Sequence, residues 1–453
     1  MAEPARHDKT ARQLRLLSEA LDTGRLGPVR RLVNSLSPAE IGNLLESLPP
    51  AKRNVVWGLV DPEDDGEVLV HVGEEVRKGL IADMDPDELV AAVEDLDIDD
   101  LADIVDDLPD TVIEEVLKSM DRENRDRLEQ VLSYPEDSAG RLMNPDIVTV
   151  RADVSVDVVL RYLRLRGELP EHTDHLFVVS RRHQYLGRIA LSALVTHDAM
   201  TPVNELIDDE QPAIAVHASA AEVANQFSDH DWVSAPVVDA GNILLGRITI
   251  DDVVDIIREQ AEHQAMGAAG LDEDVDLFAP IARTARSRAI WLGINLLTAF
   301  LASWVIGNFQ NVLQKVVATA VLMPVVASMG GIAGTQTLTI MVRALALGQI
   351  SMSNLIPLLR KEIAVGLLNG LLWAFAVALV SFGVYRDVLL SVAFGCALVV
   401  NLGLAALAGV FIPLIQKRMG IDPALAGGTI LTTVTDCCGF ASFLGLATLM
   451  LLR

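Results

Sequence analysis

The sequence predicts a multidomain protein with three parts: an all-α N-terminal domain, an α/β tandem module and an α-helical transmembrane domain of five spans. Three observations predict this. Five long apolar stretches follow one another after residue 283, a strand–turn–strand–helix pattern occurs twice within residues 137–258, and residues 1–136 carry short capped helices with no strand signal. Charge divides the chain along the same line. Of 36 Lys/Arg and 62 Asp/Glu, residues 283–453 hold 11 and 4, which leaves 25 and 58, a net of −33, in residues 1–282. An acidic excess of that size argues against a nucleic-acid partner, whose phosphates it would repel. Mobile cations are the natural counter-charge, set against the blander reading of ordinary solubilisation.

In residues 1–136 the segments LSPAEIGNLLESLP, MDPDELVAAVEDL, DIDDLADIVDDLP and DRENRDRLEQVL share one grammar: a capping Ser or Asp, often a Pro, then an apolar stripe. They predict a helical superhelix of irregular repeats. Residues 83–110 are dense in acids. On a lone domain that is a solvated face; beside a second acidic domain it costs repulsion unless cations screen it.

The tandem module spans residues 137–258. HLFVVSRRHQYLGRIALSALV (175–195) aligns with SAPVVDAGNILLGRITIDDVV (234–254), with Gly187 and Gly246 59 positions apart. Residues 259–282 form a connecting segment, part of which reads as a helix able to carry motion into the first span.

The membrane domain, residues 283–453, has apolar stretches at about 289–309, 315–341, 362–384, 388–415 and 424–452. Each is long enough to cross a bilayer as a helix at ~1.5 Å per residue. No apolar signal segment precedes them, so the N-terminus is expected in the cytoplasm. Five spans then put the C-terminus outside, in the cell inner membrane. On that orientation eight basic residues flank the inner side and three the outer, as the positive-inside rule asks.

Asp436 is the feature the membrane domain turns on. It lies near the middle of an apolar run, where a charge costs ~2.5–3.5 kcal/mol on insertion scales. No basic residue lies inside a neighbouring apolar stretch to pair with it, which favours a water-filled cation path over a structural ion pair. Thr429, Thr432, Thr433 and Asp436 fall at i, i+3, i+4 and i+7, one helical face. The second span adds Pro324, Gly330, Gly331 and Gly334, then Thr335, Gln336 and Thr339. That run reads equally as a path wall or as a small-residue packing seam whose hydroxyls bond back to their own helix. One carboxylate per chain suits a hydrated hard ion. Mg2+ keeps several waters and takes one or two carboxylates, and two-fold assembly would supply two; Ca2+ would want 6–8 oxygens. Cys396, Cys437 and Cys438 read as packing residues.

These residues resemble the MgtE magnesium channels or transporters of bacteria. The likeness rests on YPEDSAGRLMNPDIVTVRADVSVDVVLRYLR, ITIDDVVDII, SMGGIAGTQTLTIMVRALALGQI and GIDPALAGGTILTTVTDCCGFASFLGLA, and it covers essentially the whole chain in order. The resemblance implies a homodimer with paired CBS domains and a plug helix, with spans two and five lining the pore and Asp436 as its central ion-binding carboxylate. It also implies closure by cytosolic Mg2+ held between acidic faces. Asp99 and Asp103 would serve from the N domain, Asp231, Asp252 and Asp255 from the CBS pair, and Asp422 from the inner mouth of span five. In the connecting segment the candidates are Glu259 and Glu262. Thr249 and Asp252 have the spacing of a nucleotide-binding CBS repeat, so one ATP site stands beside the alternative of a pure gating scaffold. The chain departs from the family pattern at Ile332, where the motif has Asn, and at Ser219 and Ala221, where relatives often carry acids; weaker gating is the expectation.

Rival readings are a carrier for Co2+ or Mn2+ and a membrane-tethered sensor. An enzyme is not expected, since no Walker loop, GxSxG or HExxH occurs.

Overall fold

A computed structural model describes residues 17–452 except 18, 95, 268, 272–275, 351–352 and 426. The chain forms two compact units. One holds residues up to Glu259 together with Asp274–Ala279; the other holds Gln260–Glu273 and Pro280–Arg453.

The N-terminal unit begins with short helices from Leu26–Val33 to Ala139–Leu142. Their starts are fixed by the caps the sequence supplies. Ser37 accepts from the Glu40 amide at 3.3 Å while Glu40 accepts from the Ser37 amide at 3.1 Å, with Pro38 at the first helical position. This reciprocal bonding satisfies two amides that have no partner within the helix. The apolar stripes merge into one core, and that core continues into the second α/β repeat through Ala139, Met143, Ile214, Val216, Phe227 and Val253. The first repeat keeps a smaller core of its own around Val156, Leu176, Val178 and Ile189.

Each repeat is a three-stranded sheet. β1 (Thr149–Arg151) runs parallel to β2 (His175–Val179), which pairs antiparallel with β3 (Tyr185–Ala190). β4 (Ile214–Ala215), β5 (Ser234–Val238) and β6 (Leu244–Thr249) reproduce the order. The correspondence reaches single residues. The register slips at Val178/Val179 and again at Val237/Val238. His183 and Asn242 hold equivalent left-handed turn positions at φ 58° and 59°. The two turns bond to each other, Tyr185 N to Asn242 O at 2.9 Å and Leu244 N to His183 O at 3.0 Å. Phe177, Val179, Tyr185, Val238 and Leu244 fill the space between the repeats.

After β6 the chain enters one continuous helix, Ile250–Gly267, so the helix of the connecting segment starts within the second repeat. The membrane unit has five helices long and apolar enough to cross a bilayer: Ile281–Gly307, Val317–Ala346, Leu355–Tyr385, Val388–Arg418 and Gly427–Leu451. We call these the first to fifth spanning helices. The fourth is central, packing on the second, third and fifth. Its buried face is built of small residues, among them Ala393, Gly395, Ala397, Ala405, Ala406 and Gly409, which let backbones close up where lipid leaves no hydrophobic gain between helices. The first packs on the fifth and presents Leu292, Leu297, Phe300 and Trp304 outward.

Candidate ion site

The second and fifth spanning helices form a groove of about 410 Å³. Ala327, Ser328, Gly331, Ile332, Thr335 and Gln336 line one wall; Thr432 and Asp436 line the other. Asp436 is half-buried. Among the described residues nothing hydrogen-bonds to its carboxylate and no basic side chain pairs with it.

The groove's hydroxyls are committed in one direction only. Thr335 donates to Gly331 O and Thr432 to Gly428 O, both at 2.9 Å. A hydroxyl that spends its proton on its own helix keeps its lone pairs. The wall around Asp436 therefore offers acceptors, which suits the outward-pointing hydrogens of water around a cation.

The second helix divides by face, so both readings of its small-residue run apply. Gly331, Thr335 and Gln336 stand in the groove. Gly330 and Gly334, expected as lining residues, are buried in a seam instead: a Cβ on Gly330 would lie 2.2 Å from Asn401 Nδ2, and one on Gly334 2.8 Å from Leu431 Cδ1. Pro324 is exposed within its helix and outside the groove. Thr339 bonds back to Thr335 O, and Thr433 to Thr429 O at 2.7 Å; Thr339, Thr429 and Thr433 lie off the groove lining. Ile332 is 57 % exposed and puts a branched apolar side chain in the wall.

Several buried polar groups in the membrane unit are not marked by the sequence, and two of them hydrogen-bond between spanning helices. Glu362 is 5 % exposed, accepts from Thr337 Oγ1 at 3.2 Å and has Lys361 Nζ at 3.4 Å. A spanning helix of the membrane unit thus carries an acid besides Asp436. The apolar stretch in the sequence starts at residue 362, whereas the helix starts at Leu355 and puts Glu362 about two turns inside it. Asn401 is the second. No local signal marks it, because one Asn in an apolar helix reads as tolerated polarity until its neighbours are known.

The N-terminal unit brings acids from two elements together. Helix Ile98–Ile104, capped at Asp97, carries Asp99, Asp100 and Asp103; the start of helix Ile250–Gly267 carries Asp251, Asp252 and Asp255. Burial and the neighbouring Asp252 push the Asp99 carboxyl well above the usual carboxylate range. Burial and Asp103 push Asp100 up to about 7, and burial and Asp251 push Asp252 up to about 7. Asp103, whose side chain still reaches solvent, rises to about 6 through burial against the pull of Arg141 and Arg77. Asp99 Oδ1 is buried with no hydrogen-bond partner among the described residues. An orphaned carboxylate oxygen facing further carboxylates fits a bound cation. Among the described residues no three His, Cys, Asp or Glu side chains stand close enough to hold a metal directly, so an ion here would be held largely through water.

Asp231 is exposed and occupies the left-handed cap position, φ 53°, of helix Ala220–His230, a local role. Ser219 caps the other end of that helix, accepting from Glu222 N. Glu259 and Glu262 lie on the exposed side of helix Ile250–Gly267. Asp422 meets His263 Nε2 of that helix and also accepts from Ala424 N at 2.8 Å. Thr249 Oγ1 donates to Asp252 Oδ2 at 3.0 Å, and the Thr249 amide reaches the same oxygen at 3.2 Å.

The family models of an intracellular N domain and of the CBS domain match residues 36–137 and residues 139–199 and 203–259, and a model described as a divalent cation transporter matches residues 323–446. A magnesium transporter MgtE of Thermus thermophilus is 31 % identical over 96 % of this chain and 98 % of its own length. The chain belongs to the MgtE family. A second MgtE, from Bacillus subtilis, is 25 % identical over 94 % of this chain and 95 % of its own. A crystal structure of the cytosolic domain of the Mg2+ channel MgtE in complex with ATP covers 53 % of this chain and 98 % of that one, at 30 % identity and TM-score 0.48. The residues matched by the divalent cation transporter model include both walls of the groove and Asp436.

Proposed function

We propose that this MgtE family member moves Mg2+ into the cell across the cytoplasmic (inner) membrane, down its electrochemical gradient, as a homodimer. The observation that carries the reading is Asp436: an unpaired carboxylate in a groove whose hydroxyls present acceptors. A second copy would place two such grooves face to face and two carboxylates on one hydrated ion, within what Mg2+ tolerates. The N-terminus and the acidic unit lie in the cytoplasm and the C-terminus outside, from the distribution of Lys and Arg.

Closure by cytosolic Mg2+ is the second part of the proposal. Asp99, Asp100 and Asp103 face Asp251, Asp252 and Asp255 at a cost that burial raises, and a divalent cation between them reverses its sign. Several weak sites biasing one two-state arrangement give a steep response. ATP at Thr249 and Asp252 is proposed with a condition: it displaces the bond those two side chains make with each other. Equilibrium binding of ATP to the detergent-solubilised full chain, against Asp252→Ala, tests it.

Mg2+ uptake by cells lacking other importers, comparing the chain with Asp436→Ala, tests the transport reading. Loss of rescue at unchanged expression is expected; undiminished rescue would refute it. Uptake that needs no Na+ or proton gradient separates a channel from a coupled carrier for Co2+ or Mn2+.

A further inference from the structure

Asn401 is 0 % exposed at the centre of the membrane unit. Its Nδ2 donates to Val326 O on the second spanning helix at 2.8 Å. Its Oδ1 has no hydrogen-bond partner among the described residues. Two glycines from two different helices enclose the amide: a Cβ on Gly330 would stand 2.2 Å from Nδ2, and one on Gly439 of the fifth helix 2.7 Å from it. Both glycines sit directly behind the groove. Gly330 lies between the lining residues Ser328 and Gly331, and Gly439 is one turn beyond Asp436.

A packing role alone accounts poorly for this. An alanine or leucine would fill an apolar seam without burying an amide, and native proteins seldom leave a buried carbonyl oxygen unpaired. A polar side chain that accepts this cost fixes which packing the helices adopt, since any slide of either pore-side helix breaks the bond to Val326 O or drives backbone into the amide. We infer that Asn401 is a positioning residue: a polar pin from the fourth helix that sets the spacing and height of the two helices carrying the groove walls, and so the distance between Asp436 and the Gly331–Gln336 wall. The inference rests on the proposed ion path along that groove.

The glycines make the test specific, because shortening the pin should make room for a methyl group. Mg2+ uptake would be measured as half-saturating concentration and maximal rate, normalised to surface expression, for Asn401→Ala, Gly330→Ala, Gly439→Ala and the doubles N401A/G330A and N401A/G439A. Misplacement of a binding group by about 1 Å costs up to about a hundredfold. We expect a loss of about tenfold for each glycine variant, partial recovery in each double, and a raised half-saturating concentration for Asn401→Ala alone. A residue that only holds the fold together would lower expression and maximal rate and leave half-saturation where it was. Unchanged half-saturation in Asn401→Ala, or doubles no better than the glycine singles, would overturn the pin. If the glycine variants do not reach the membrane, the half-saturation of Asn401→Ala decides alone. Full uptake by Asp436→Ala would overturn the ion path and the pin together, whereas an inactive Asp436→Ala with unrelieved doubles would overturn only the pin.

Discussion

The two units treat their carboxylates in opposite ways. In the membrane unit Asp436 stands alone in a groove, with hydroxyl acceptors about it and no basic partner among the described residues. In the N-terminal unit Asp99, Asp100 and Asp103 crowd against Asp251, Asp252 and Asp255, and burial together with neighbouring carboxylates raises Asp99, Asp100, Asp103 and Asp252. A solitary acid in an apolar wall attracts a cation strongly only where water can follow. A crowd of acids is strained without one, and its arrangement depends on whether one is present. On the proposed function, the same residue type would serve a conduit in one unit and a sensor in the other. Asp276 supplies the contrast within the N-terminal unit: its side chain is also buried, yet paired, because Arg53 reaches both of its oxygens at 2.9 Å.

The comparison can be broken at several points. Asp436→Asn keeps the shape of the groove and removes its charge; uptake should fall by about two orders of magnitude, the scale of losing a preorganised electrostatic group. Uptake near normal would mean that shape, and not charge, selects the cation. Arg53→Ala leaves Asp276 buried and unpaired, and should destabilise the N-terminal unit by ~3–5 kcal/mol in denaturant melts of the full chain. Glu362→Leu removes the bond from Thr337 and should cost about 1 kcal/mol of stability with uptake little changed. If uptake collapsed as it does for Asp436, Glu362 would belong to the ion path and the solitary description would be wrong.

The crowded face gives the opposite sign. Asp99→Asn relieves repulsion and should stabilise the N-terminal unit without Mg2+ by about 1 kcal/mol, while shrinking the extra protection from proteolysis that Mg2+ brings. The pH dependence tests the same face. Asp100 and Asp252 have folded values of about 7 against an ordinary 3.8. A raised acid stabilises the fold fully below its unfolded value, and that contribution is lost as pH rises through the folded one. Without divalent cations the N-terminal unit should therefore lose stability between about pH 4 and pH 7, and added Mg2+ should stabilise it more at pH 8 than at pH 6. Equal Mg2+ stabilisation at both would show that protons and Mg2+ do not share the face.

Much of this was legible in the chain. The α/β repeat was visible at 59-residue spacing, and the structure extends that spacing to the register slips and to the left-handed pair His183 and Asn242. The five spans follow from runs of apolar residues, a local property that survives any packing. Asp436 stood out because a carboxylate inside such a run is anomalous wherever the run ends up.

Partners were not legible. Whether Gly330 faces a groove or a seam depends on a side chain 71 positions away, and the bond from Asn401 to Val326 O joins residues 75 apart. Asp99 and Asp252 come from different domains, and only their approach turns two ordinary acids into a strained face. Composition and hydropathy determined what each segment is and which medium it prefers, because transfer free energy is summed residue by residue along the chain. Which polar group meets which was decided by the tertiary structure, because hydrogen bonds and charge repulsion act over a few ångströms of space, and distance along the sequence does not set them.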